Sequence, residues 1–162
     1  MEQRLNFYEK GQKALKALSG LAAYQGKSAI EQQLSNLICF RVSQINGCAY
    51  CLDMHSKDLR AEGETEQRLH MLAAWRESPF YTARERAALA WAEAVTELDK
   101  GRVCDEVYEE VARHFTEEEI VDLTVATITI NCYNRINVAF RVEGGSYVVG
   151  QHKNQQKVQA AV

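Results

Sequence analysis

A single proline, Pro79, and nine glycines punctuate 162 residues, and most of the glycines fall between periodic segments. A chain of short strands and turns needs more breaks than this, whereas a helical chain does not. Helix starts are marked as well. Ser28-x-x-Glu31, Thr82-x-x-Glu85 and Thr116-x-x-Glu119 have the spacing of a capping box. In each, the hydroxyl can accept from the third helical N–H while the glutamate reaches back to the cap N–H. After the first, Leu34, Leu37, Ile38, Val42 and Ile45 recur on one helical stripe, and after the second Ala87, Ala88, Trp91, Val95 and Leu98 do the same.

The same reading places a helix from about Leu5 to Tyr24 and another over Cys48 to Glu62, closed by Gly63 as a left-handed C-cap. Thr65 to Glu77 follows, stopped ahead of Pro79 because the residue before proline avoids the α region. Asp105 to His114 is a short helix. The run Leu123 to Ile130 alternates apolar residues with threonine, but a lone strand in a helical chain has nothing to pair with. Glu117 to Val142 is therefore read as helix, apolar on most sides and in need of cover from another copy. The expectation is an all-α, single-domain bundle of about six to seven helices over residues 1–162. The polar stretch 144–162 is expected to form a loosely ordered tail.

Composition narrows the function classes. Lys+Arg total 19 against 22 Asp+Glu, a net charge of −3, which argues against a nucleic-acid partner. The longest apolar run, Ala87 to Ala92, is far too short to span a membrane. The opening residues lack the apolar core of a secretory signal, so a cytoplasmic location is expected. Five cysteines, at 39, 48, 51, 104 and 132, are an odd number in a chain of ordinary core size, so a disulfide framework is the wrong reading.

The chemistry concentrates in Ser43-Gln-Ile-Asn-Gly-Cys-Ala-Tyr-Cys-Leu-Asp-Met-His55. Asn46-Gly47 signals a turn, and on a helix starting at Cys48 the residues Cys48, Cys51, Leu52, His55 and Leu59 share one face. Cysteines three apart on a helix can close a disulfide. A helix N-terminus stabilises a thiolate, and His55, one turn beyond Cys51, can take or share a thiol proton. A thiolate, a second thiol and a base make a two-cysteine redox site, in which a sulfenic acid condenses to a disulfide. Zinc is the competing reading. Cys48, Cys51 and His55 supply three ligands, and His70, Cys39 or a neighbouring chain would have to complete four. No metal ligand and no cofactor is assigned. Cys39 and Cys132, with Trp75 and Trp91, read as core, Cys104 as a surface thiol, and His70, His114 and His152 receive no role.

On those residues the sequence resembles the alkylhydroperoxidase D family of the carboxymuconolactone decarboxylase superfamily. Ser-Gln-Ile-Asn-Gly-Cys-Ala-Tyr-Cys-x-x-x-His is close to its core signature. Ala61-Glu-Gly-Glu64, Arg84 to Trp91 and Asn131 to Phe140 look like its following helices, so the resemblance covers about residues 34–140. It implies a helical fold assembled into trimers or hexamers, and a thiol-dependent peroxidase recycled by a dithiol or lipoyl-type donor. By position, Cys51 matches the cysteine that becomes the sulfenic acid, Cys48 the resolving cysteine and His55 the proton-transfer histidine. Spacing alone favours Cys48 as nucleophile, since it is nearer the helix start. Two positions depart from the pattern: the relay glutamate is Asn36, expected to face the site, and the histidine before the second cysteine is Tyr50. Decarboxylation is disfavoured, because that branch lacks the cysteine pair. The alternatives are a non-catalytic or zinc-stabilised oligomeric scaffold and a protein or small-molecule disulfide oxidoreductase.

Overall fold

The computed structural model describes residues 2–98 and 101–152. Eight α-helices are present among them and no strand. These are α1 (Phe7–Lys10), α2 (Gln12–Gln25), α3 (Gln32–Asn46), α4 (Ala49–Ala61), α5 (Glu66–Met71), α6 (Ala83–Glu97), α7 (Asp105–Ala112) and α8 (Glu117–Phe140), with a 3₁₀ turn at Leu72–Ala74. The all-α expectation holds. No helix among the described residues is long and apolar enough to cross a membrane.

Two of the three capping boxes form. Thr82 with Glu85 and Thr116 with Glu119 each make both reciprocal hydrogen bonds. The Ser28 box does not. Ser28 Oγ accepts from Ile30 N, the Asp122 carboxylate takes the Ala29 N–H at 2.9 Å, and α3 starts at Gln32 without a side-chain cap. The first expected helix is two, broken at Gly11, whose N–H returns to Phe7 O while the Phe7 ring stacks on Phe140 at 5.6 Å. The helix expected to reach Glu77 is already a 3₁₀ turn by Leu72. Arg86 captures the carbonyls of Trp75, Arg76 and Ser78, so those oxygens are satisfied without a further helical turn. Leu98, placed on the core stripe of α6, instead ends that helix in the left-handed region and is exposed.

α3 runs through the centre, packed on α4, α6 and α8. Its one side joins Ile38 and Val42 to Ala88, Ala92 and Leu123, and its other joins Leu37 and Phe40 to Leu59, Leu72, Trp75 and Leu89. Each such aliphatic side chain contributes roughly 1.5–3 kcal/mol when fully buried. Trp75, Trp91 and Cys39 are core as expected, and Cys104 is exposed. Cys132, expected in the core, is only partly buried. The expected loose tail is corrected for 144–152, which is bonded along α4; residues 153–162 lie outside the described residues.

Candidate functional site

The turn joining α3 to α4 builds the site. Gly47 closes α3 in the left-handed conformation (φ 64°), which costs glycine no strain. This directs Cys48 N–H back to Ser43 O at 3.1 Å and leaves Cys48 extended as the N-cap of α4. Ser, Thr, Asp or Asn normally holds that position. Here a sulfur does: Cys48 Sγ accepts the Cys51 N–H at 3.4 Å.

Both sulfurs are buried, and α8 supplies their polar cover. Asn137 Nδ2 donates to Cys51 Sγ at 3.3 Å while its Oδ1 accepts from Tyr8 OH at 3.1 Å. Asn134 Nδ2 donates to Ser43 Oγ at 3.1 Å, and Ser43 in turn donates to Cys39 O. Asn46 Nδ2 then donates to Asn131 Oδ1 and Asn134 Oδ1, locking the cysteine turn to α8. A buried polar network of this kind is stabilising only when each member is satisfied. Asn134 and Asn137 escaped the sequence reading. The available signal was asparagine at 131, 134 and 137, three residues apart on an otherwise apolar helix.

The electrostatics separate the two thiols. Hydrogen bonds from the Cys51 thiol, the Cys51 N–H and the Asn137 and Asn134 amides hold Cys48 down at about 7, against the opposing effect of burial. Cys51 moves up, because its proton is shared with Cys48 and because it is buried. Cys48, at the positive end of α4, is therefore the more acidic of the two thiols.

His55 lies on the buried face of α4 as expected, and neither ring nitrogen has a hydrogen-bond partner. Burial, reinforced by His152, lowers it to about 4, so the ring is neutral at physiological pH. Asn36 pairs elsewhere. Its amide donates to both oxygens of Glu62, at 3.0 and 2.9 Å, and its Oδ1 accepts from Gln32. Glutamate at this position would thus meet Glu62. We expect Asn36→Glu to cost about 1–2 kcal/mol in urea unfolding at neutral pH. Adding Glu62→Gln should restore it, and unchanged stability in the single variant would remove this reading of the pair. Tyr50 is half-buried, 6.3 Å ring to ring from Tyr8. Cys39 and His70, the zinc candidates, do not join the pair: among the described residues no three His, Cys, Asp or Glu side chains converge as a metal site.

The carboxymuconolactone decarboxylase family model matches residues 9–94, which include both cysteines and His55. The chain is 44% identical over 139 residues to the uncharacterized protein YdfG of Bacillus subtilis (strain 168), covering 86% of this chain and 95% of YdfG. A crystal structure from Agrobacterium tumefaciens, of a protein of unknown function provisionally named as the antioxidant defence protein AhpD, matches at TM-score 0.86 and 42% identity. That match covers 90% of this chain and 100% of the other. An uncharacterized peroxidase-related protein from Silicibacter sp. TM1040 matches at TM-score 0.74 and 26% identity, over 83% of this chain and 71% of its own. Fold, cysteine turn and sequence thus converge, and the chain belongs to the carboxymuconolactone decarboxylase family, in its alkylhydroperoxidase D group.

Proposed function

We propose that the protein is a thiol-dependent peroxidase that reduces hydroperoxides through a Cys48–Cys51 disulfide and is recycled by a dithiol or lipoyl-type donor. The observation that carries this is the sulfur N-cap: Cys48 Sγ at the start of α4, accepting the Cys51 N–H, on a helix whose buried face also carries His55 with neither ring nitrogen hydrogen-bonded. The Cys48 thiolate attacks one peroxide oxygen, the O–O bond breaks, and the departing alkoxide takes a proton to leave as an alcohol. Cys48 is then a sulfenic acid. Cys51 attacks that sulfur, the S–S bond forms, the S–O bond breaks, and the hydroxide leaves with the Cys51 proton as water. A dithiol donor returns two electrons and two protons. This order exchanges the roles that the family resemblance implies, because the thiolate and not the thiol is the nucleophile.

The functional unit is an oligomer of this chain, a trimer or hexamer by the resemblance. Val121 and Ile128 are exposed on α8, with Val125 and Cys132 partly so, at the four- and three-residue steps of a helix-packing seam. Dithiol-dependent loss of hydrogen peroxide or an organic hydroperoxide tests the activity, and sedimentation of the same sample tests the assembly. Titrating thiols without hydroperoxide loss, alongside rapid reduction of a small-molecule disulfide, would replace the peroxidase with disulfide exchange. A monomer at about micromolar concentration would remove the oligomer.

A further inference from the structure

The segment 144–152 is strapped to the cysteine helix. The Asp53 carboxylate accepts from Gly145 N at 2.8 Å and Tyr147 N at 3.1 Å, and Lys57, paired with Asp53 at 2.7 Å, donates to Tyr147 O at 2.9 Å. Tyr147 is buried and its hydroxyl donates to Asp58 at 2.9 Å. Gly144 touches the first turn of α4 so closely that a Cβ there would lie 2.6 Å from Ala49 O. The strap ends by stacking His152 on the Tyr147 ring, 5.6 Å between centroids, and sets His152 Nε2 2.9 Å from Tyr50 OH. Gln151 donates to the same hydroxyl at 3.3 Å.

Tyr50 stands between the two cysteines in the chain and packs against the core cluster that holds both of them; burial and the charge of a thiolate there push its phenol pKa up. We propose that His152 is a positioning residue of the redox site: it orients the Tyr50 hydroxyl, which gives the leaving oxygen the proton it needs. This rests on the peroxidase reading and holds whichever cysteine attacks. In the step, thiolate sulfur bonds to one peroxide oxygen and the O–O bond breaks. The alkoxide takes the Tyr50 proton, and the Tyr50 oxygen, held by Gln151 and His152, regains one from water. The products are sulfenic acid and alcohol. His55, neutral and buried, is a poor proton source at physiological pH. The titratable and charged groups facing the pair are Cys48 at the N-cap of α4, Cys51, Asp53 and His55 on α4, Tyr147 on the strap and Tyr8 on α1.

The test is single-turnover reaction of the reduced full chain with hydrogen peroxide from about pH 5.5 to about pH 9.5. The wild type should rise with thiolate formation. His152→Gln and Tyr50→Phe should each react roughly 10–100-fold more slowly with peroxide near neutrality, without further loss in the double variant. Gly144→Ala, which displaces the strap without touching either side chain, should reproduce the His152→Gln profile. Iodoacetamide alkylation needs no proton at the leaving iodide, so its pH dependence should be unchanged in all three. Variant peroxide rates like wild type, or alkylation slowed as much as the peroxide reaction, overturn the role of His152 alone. A wild type that is alkylated but inert to peroxide overturns the peroxidase reading and this role with it.

Discussion

Cys48→Ser stops peroxide turnover, with a loss of about 10³-fold or more, because it removes the more acidic of the two thiols, the proposed nucleophile. Cys51→Ser behaves differently. It retains the Cys48 N-cap geometry, since the 3.4 Å bond comes from the backbone N–H of residue 51, and it should support one turnover ending in a sulfenic acid on Cys48. It also loses the thiol that donates to Cys48, so the alkylation pH profile should move to higher pH. Dimedone trapping followed by peptide mass spectrometry locates the adduct. An adduct on Cys51 in Cys48→Ser, with none on Cys48 in Cys51→Ser, would restore the order that the resemblance implies.

The contrast between the two cysteines was partly legible from spacing, because an N-cap is a local feature. Asn46-Gly47 forces the turn, the turn starts the helix, and the first cysteine meets the helix N-terminus. Thr82 and Thr116 were legible for the same reason. Ser28 failed because the group that captures its neighbour's N–H, Asp122, lies 93 residues away. The polar lining of the site was hidden likewise: Asn137 reaches Cys51 across 86 residues and Asn134 reaches Ser43 across 91. Periodicity shows that these asparagines share a face, but not what that face meets. The strap was misjudged from composition alone. Its polar residues read as solvent-facing, yet Asp53, Lys57 and Asp58 on α4 satisfy its backbone and its tyrosine.

His55 is expected to make the fold acid-labile ahead of its carboxylates. In the native chain it titrates at about 4, held low by burial, whereas in the unfolded chain it takes a proton near 6.5. Above about 6.5 both states are neutral and nothing is lost. As the pH falls below that value the unfolded chain binds a proton that the native chain refuses, so stability drops until about 4 and then levels. One pKa unit corresponds to about 1.4 kcal/mol, so the loss is about 3 kcal/mol across the whole window. Carboxylates held low in the native state, such as Glu93 beside Trp75 and Arg41, lose their contribution only as the pH falls below the ordinary carboxylate range. Between about pH 6.5 and pH 4.5 the slope therefore belongs mainly to His55. Urea unfolding of wild type and His55→Leu across that interval reads it directly. The leucine variant should be flatter with pH and at least as stable at neutrality, because it also removes two buried nitrogens without partners. An unchanged slope in the variant would assign the acid loss to other groups. A protein that becomes more stable when this imidazole is replaced, and slower with peroxide, retains His55 for the thiol chemistry and not for the core.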